Sequence, residues 1–362
     1  MEENDNFDPK PSGWKSAWLV VFVLVMAGAN IWMFQKAFSS PAGELPKLKI
    51  NVFSASSFVI KNSQQTASDA AGFFAETRNI LVLGRSGGSY IAPNLTDTIF
   101  VAHIDGPTKK IKIISLPRDL AVKLPRPEGA RLAQRAAGSS GVTKINALYQ
   151  IGLEKSEREG LLMIQNKVQE ITGLKIDSFL LFDLATVEKI IDEIGGVNVF
   201  VKEDINDTRF PTNNGGYEIF RLEKGMRFLD GKTALKFIRT RNSPGGDFDR
   251  IGRQQEVLKA LKGKLLSLNP VWNFGKIWSI FRTVQKNVKT DLSLSDLKNI
   301  WSLAKKIDLE TVETFSLNAD TGLIADQKML LGGSTAYTLV AKPKPFDYTG
   351  IKSAIADFIN SQ

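Results

Sequence analysis

The sequence predicts an α/β fold: a three-layer α–β–α domain with a mixed central sheet, preceded by one N-terminal transmembrane helix. Two observations carry this. Continuous apolar runs ended by glycine or proline alternate with segments of helical spacing from Arg78 onward, the pattern of a buried sheet covered by helices. Ahead of them lies one uncharged apolar run, Ala17 to Phe34, just long enough to cross a bilayer core as a helix.

That run reads AWLVVFVLVMAGANIWMF, with Trp14 and Trp18 near one end and Trp32 near the other, as interfacial aromatics are placed. Ala27-Gly28-Ala29 resembles a signal-peptide cleavage site. The apolar run continues past it through Ile31, Trp32 and Phe34, which favours an uncleaved anchor. Lys10 and Lys15 before the span, and Lys36, Lys47 and Lys49 after it, leave the orientation undecided by charge. Residues 1–16 form a short tail. A Ser-, Ala- and Pro-rich stem follows to about Thr77, with a possible strand at Lys49–Phe53 and a short helix at Asp69–Glu76.

The body opens with strands at Asn79–Gly84 and Thr98–Ile104. A third strand, Lys109–Leu116, is joined to the second by a turn at Gly106-Pro107. A helix at Leu161–Leu174 meets Gly173, a strand covers Ser178–Phe182, and a helix at Leu184–Ile194 stops at Gly195-Gly196. Val197–Val201 reads as a strand, Gly231–Arg239 as a helix, and Arg250–Leu268 as an amphipathic helix. The last stretch offers helices at Val271–Val288, Ser295–Ile307 and Tyr348–Ile359, and strands at Glu313–Leu317 and Ala336–Val340. It either completes the same sheet or forms a small module. A core of residues 78–268 and a C-terminal part of residues 269–362 are expected on this basis.

The composition is that of a globular chain, 43% apolar and 23% charged over 362 residues. With no cysteine, disulfides, thiol nucleophiles and thiolate metal sites are excluded. One histidine, His103, argues against a multi-histidine zinc site. A net charge of +9 favours anionic partners: nucleic acid, phosphorylated metabolites or a membrane surface.

Four clusters can carry chemistry. Gly84-Arg85-Ser86-Gly87-Gly88 follows a strand, and its glycines let backbone N–H groups approach phosphate, although such loops are commonly only tight turns. Leu95-Thr96-Asp97-Thr98 sets a carboxylate among hydroxyls, suited to magnesium or simply to capping a strand. Ser115-Leu116-Pro117-Arg118-Asp119 lies at a strand end, where α/β folds bind ligands, but can equally be a local ion pair. The densest cluster is Phe237-Ile238-Arg239-Thr240-Arg241, then Asp247-Phe248-Asp249-Arg250, then Arg253-Gln254. Arg250, Arg253 and Gln254 share one helical face, and several arginine forks can hold a pyrophosphate. A solvated basic face is the plainer alternative. The glycine-rich spacer Pro244-Gly245-Gly246 breaks the arginines into two elements, which argues against a nucleic-acid groove.

Taken in order, NILVLG, LTDTIFVAHID, KKIKIISLPRDL, KINALY, FDLATVEKIIDEIGGVNV, LDGKTALKFIRTR and GDFDRIGRQQEVLKAL resemble the LytR–CpsA–Psr family over roughly Asn79 to Leu261. The resemblance implies an extracytoplasmic domain on a single membrane anchor. It implies a phosphotransferase that moves an anionic glycopolymer from a polyprenyl (undecaprenyl) pyrophosphate carrier to a peptidoglycan sugar hydroxyl, assisted by Mg2+. It makes Asp97 the metal-associated aspartate and Arg118 a pyrophosphate contact, with Arg239, Arg241, Arg250 and Gln254 around the same group. The implied partners are the lipid-linked glycan, peptidoglycan and the bilayer, and no nucleic acid. Two positions depart from the family pattern: Leu95 stands where arginine is common, and Ser86 where many members carry an aspartate. The ligand and base roles of Asp97 are not separable from sequence. Segments such as Leu161–Ile164 and Phe179–Phe182 can line a lipid groove or serve as core. A non-catalytic binder of lipid pyrophosphates is the alternative function, and a transcriptional attenuator a remote third.

Overall fold

The computed structural model describes residues 75–85, 87, 93–124, 141–212, 216–240, 247–268, 273–306 and 312–361. The expected anchor at 17–34 and nearly all of the stem lie outside them. Among the described residues no helix is long and apolar enough to cross a membrane.

In chain order the body contains β1 (Arg78–Arg85), β2 (Thr96–Asp105), β3 (Lys110–Leu116), β4 (Ala121–Lys123) and β5 (Val142–Lys144). Helices α1 (Leu148–Gly152) and α2 (Glu157–Thr172), strand β6 (Ser178–Asp183) and helix α3 (Leu184–Glu193) follow. Next come β7 (Val197–Val201), β8 (Ile205–Pro211), β9 (Tyr217–Leu222), β10 (Gly225–Leu229), α4 (Gly231–Arg239) and α5 (Asp247–Leu266). The chain continues with α6 (Phe274–Asn287), β11 (Val288–Thr290), α7 (Leu294–Lys306), β12 (Glu313–Ser316), β13 (Ile324–Leu331), β14 (Ser334–Ala341) and α8 (Thr349–Asn360).

Six strands form a mixed central sheet in the order β11-β6-β1-β2-β3-β12. β6 runs parallel to β1 and β12 parallel to β3, while β2 is antiparallel to both β1 and β3, and β11 to β6. β1 shows why its sequence is apolar without alternation. Ile80 and Val82 enter one core and Leu81 and Leu83 the other, because both faces of the sheet are covered. One face carries α3 to α7 and the ribbons β7–β10 and β8–β9, packed on Phe100, Phe182 and Ile113. The opposite face carries α1, α2 and α8, packed on Leu83, Val101 and Ile114. Phe100 and Phe182 are fully buried, each worth roughly 2–3 kcal/mol of transfer free energy.

Helix ends follow local chemistry. Ser156 caps α2 by accepting from the Glu159 amide at 3.1 Å, and Gly173 ends it in the left-handed region at φ 74°. Asp230 caps α4 through the Thr233 amide at 2.7 Å.

β8, β9 and β13 are strands that carry no strand signal in the sequence, and they pair as β8–β9 and β13–β14. Their burial explains the silence. A bulge between Asp207 and Phe210 interrupts the alternation of β8, and β9 and β13 are largely exposed.

Candidate functional site

Because β1, β3, β6 and β12 point the same way, their C-terminal ends share one edge of the sheet, where β2 begins. Two sequence clusters meet there. The Arg118 guanidinium, just past β3, donates from Nη1 to Asp97 Oδ1 at 2.8 Å, and its Nε lies 3.4 Å from Asp119 Oδ2. Lys144 at the end of β5 completes the row, with Nζ donating to Asp119 Oδ1 at 2.6 Å.

Backbone bonds fix this arrangement. The Leu120 amide donates to Pro117 O at 3.1 Å, which closes the turn bearing Arg118. The Ile145 amide donates to Leu120 O at 2.8 Å and that of Asn146 to Arg118 O at 3.3 Å. Buried Thr96 donates through its hydroxyl to Asn146 O at 3.2 Å, tying the start of β2 to the same segment.

One strand away, Arg85 and Asp183 face each other in register at the ends of β1 and β6. Nε of Arg85 donates to Asp183 Oδ1 and Nη2 to Oδ2 at 3.3 Å, while Nη1 donates to Asn94 Oδ1 at 3.1 Å. Beyond them, the Tyr149 hydroxyl donates to Glu157 Oε1 at 3.2 Å, and Lys289 forms an ion pair with the same carboxylate.

The electrostatics follow from this pairing. Burial opposes the charge on Arg118, but Asp97 and Asp119 outweigh it and hold the guanidinium above its ordinary value. Asp183 does the same for half-buried Arg85. Burial, reinforced by Glu157, pushes the Tyr149 phenol well up, so it stays protonated as a donor. Arg85, Arg118, Lys144 and Lys289 are thus matched by Asp97, Asp119, Glu157 and Asp183.

The structure therefore brings Asp97 and Arg118 together. Arg239 stands in the last turn of α4, with its guanidinium 5.8 Å from the centre of the Phe210 ring. Arg241 lies outside the described residues. Arg250 and Gln254 lie on α5, with their side chains outside what is described. Arg253, which the helical spacing grouped with them, is buried instead. Its Nη2 donates to Thr240 O at 2.6 Å, pinning α5 to the end of α4. The Thr240 hydroxyl in turn donates to Asp207 Oδ2 at 2.5 Å. Of the two groove segments, Leu161, Ile164, Leu180, Leu181 and Phe182 are core.

Sequence reasoning missed Arg85, Asn94, Lys144, Glu157 and Asp183. Arg85 lay inside the glycine cluster without being singled out. Asp183 lay within the FDLATVEKIIDEIGGVNV motif, but nothing there pointed to Arg85, since that partner is 98 residues away. Among the described residues no group of three or more histidine or carboxylate side chains is gathered to hold a metal. Magnesium is commonly held by one or two carboxylates plus substrate phosphates, a mode that the Asp97 carboxylate fits, whereas the Thr96 hydroxyl is committed to Asn146 O.

Comparison with known proteins adds a family and a fold. A sequence model described as the LytR_cpsA_psr family matches residues 51–343. The chain is 28% identical over 228 residues to an Enterococcus faecalis protein named polyisoprenyl-teichoic acid–peptidoglycan teichoic acid transferase TagU, covering 62% of this chain and 65% of that one. It is 30% identical over 209 residues to the Staphylococcus aureus regulatory protein MsrR, covering 56% of this chain and 54% of that one. Both matches span less than two thirds of the relative's own length. A solved Streptococcus agalactiae structure shares the fold with a TM-score of 0.55 at 22% identity, over 83% of this chain and 92% of that one.

Proposed function

The chain belongs to the LytR–CpsA–Psr family, and from that premise we propose that it is a cell-envelope phosphotransferase. In this reading it moves an anionic glycopolymer from a polyprenyl pyrophosphate carrier onto a peptidoglycan sugar hydroxyl and releases polyprenyl phosphate. The observation that carries the reading is the Asp97–Arg118 pair at the strand-end edge, beside the glycine loop that follows β1. The transferase name of the Enterococcus faecalis relative supports it.

The chemistry is a displacement at phosphorus. The acceptor hydroxyl oxygen bonds to the phosphorus that carries the glycopolymer, and the bond to the polyprenyl phosphate breaks. The leaving group takes the electron pair, and the hydroxyl proton passes to a base or to solvent. Negative charge builds on the phosphoryl oxygens, and a fixed guanidinium aimed at them lowers the barrier. Arg118 is such a group: its turn is tied by backbone bonds, and flanking carboxylates keep it charged. Because each cation of the centre already faces a carboxylate, a pyrophosphate needs further positive charge, for which Arg239, Arg241 and Arg250 are the proposed source, with Gln254 as a hydrogen-bond donor beside them. Asp97 would hold Mg2+, which would supply additional positive charge to the phosphoryl oxygens. We place the domain on the outer side of the membrane, anchored by residues 17–34, with the lipid-linked glycan, peptidoglycan and bilayer as its partners.

The test is transfer in a lipid-linked glycan assay. Arg118→Ala and Asp97→Ala are each expected to abolish product while the protein remains folded. Full transfer by both variants removes the site assignment. Binding of polyprenyl pyrophosphate by the native protein, with no release of polyprenyl phosphate when donor, acceptor and magnesium are supplied, replaces the enzyme by a lipid-pyrophosphate binder.

A further inference from the structure

The sequence lacks a carboxylate at Ser86, yet one lies against the same loop from another strand. A Cβ placed on Gly87, which sits at φ 64°, would come within 2.7 Å of both Cβ and Cγ of Asp183. Asp183 therefore packs on the loop backbone where only glycine leaves room. It is not an idle acid, because both its oxygens accept from Arg85. The remaining face of that guanidinium reaches Asn94, three residues before Asp97. The Gly87 amide donates to Pro93 O at 2.9 Å, closing the two ends of the loop on each other.

From these contacts we propose that Arg85 and Asp183 are positioning residues for the Asp97–Arg118 centre. Arg85 ties three elements at one point: the end of β1, the end of β6 and the return of the loop at Asn94. Those ties hold the chain at Asn94, three residues before Asp97, on the path by which it enters β2 and brings the Asp97 carboxylate to Arg118. The pairing register between β1 and β2 shifts at Gly84/Arg85, so the ladder is irregular where Arg85 stands opposite Thr96. The arginine fork adds a constraint on the loop side of that entry point, beside the Thr96 hydroxyl on Asn146 O. The inference rests on the proposed function for its kinetic test, but its structural content is independent of any reaction.

Arg85→Lys keeps the charge and loses the fork, since an ammonium cannot bond both Asp183 oxygens and Asn94 in one plane. Asp183→Asn strands a half-buried guanidinium and can fail to fold, so the double variant Arg85→Gln/Asp183→Asn, which pairs two neutral amides, accompanies it. Two readouts are taken on each folded variant. Hydrogen exchange at the Gly87 amide and across 94–97 is expected to speed up by at least ten-fold, with the centre of β6 unchanged. In the transfer assay, kcat is expected to fall by roughly 10–100-fold with KM for the lipid donor held within about three-fold, as for a misplaced reacting group.

Native exchange and native kcat in Arg85→Lys and the double variant overturn the proposal. A lowered melting temperature with native kcat per folded molecule also overturns it, reducing the pair to a stability contact. If the native protein transfers nothing while exchange at Gly87 still depends on the fork, the positioning claim stands and the proposed function fails.

Discussion

Replacing Gly231 by alanine should destabilise the protein, although helix propensity points the other way. Gly231 opens α4, and alanine at a helical glycine gains up to about 1 kcal/mol from propensity. Here the backbone of α4 rests directly on α3. A Cβ on Gly231 would lie 2.1 Å from Glu188 O and 2.8 Å from Asp192 Cγ. An ordinary contact needs about 3.4 Å, and the first atom is backbone, which cannot rotate away. The helices must separate by roughly 1 Å, an overpacking cost of about 1–3 kcal/mol. The same movement pulls the Gly231 amide off Asp192 Oδ1, now 2.6 Å away, for about 1–3 kcal/mol more. The net expectation is a loss of about 2–4 kcal/mol. At roughly 2–4 °C per kcal/mol, the melting temperature should fall by about 5–15 °C. Gly263 on α5 is the internal control, because nothing lies within 4 Å of the Cβ it would gain. Gly263→Ala should hold or raise the melting temperature. Calorimetry on the two variants side by side decides the matter. A Gly231→Ala protein at least as stable as the native one would show that the α3–α4 contact is misjudged.

Three further outcomes are expected. Arg118→Lys can serve only one of the two carboxylates that Arg118 meets, so transfer should drop by about 10–100-fold, and a native rate would remove the need for a guanidinium. His103, the single histidine, is held below its ordinary pKa by burial and by Lys112, with Asp105 opposing. The unfolded chain then binds the proton more readily, so stability should rise with pH through the imidazole range and fall on acidification below about pH 6.5. The lone imidazole resonance should titrate below its free value, and a midpoint at or above that value would contradict the burial argument. Asp230 is held below the usual carboxylate range by its hydrogen bonds to Thr233. Its contribution is therefore present above the free-acid pKa and lost as pH falls through the lower folded value. Asp230→Ala should cost about 1 kcal/mol at neutral pH and less near pH 2, and denaturant titrations at both pH values would reveal an equal cost if the cap is idle.

The apolar strands and capped helices were legible because each satisfies a local rule. β1 is buried on both faces and so reads as an unbroken run, and α2 carries its own cap residue and terminal glycine. β8, β9 and β13 were not, since a strand with a bulge or with few buried residues leaves no period to detect. The Arg250–Arg253–Gln254 face was a correct reading of helical geometry and an incorrect one of environment for Arg253. Nothing within the helix says that Thr240 O waits above that position.

Sequence alone determined the α/β class and the ordered motifs of the LytR–CpsA–Psr family, and it nominated Asp97 and Arg118 one by one. Tertiary structure decided that those two side chains touch, that Lys144 and Asp119 extend the row, and that Arg85 reaches across to Asp183. The physical reason is that strand pairing, not chain proximity, sets these contacts. Residues separated by 21 and 98 positions become neighbours only once β2 and β6 have found their places beside β1 and β3.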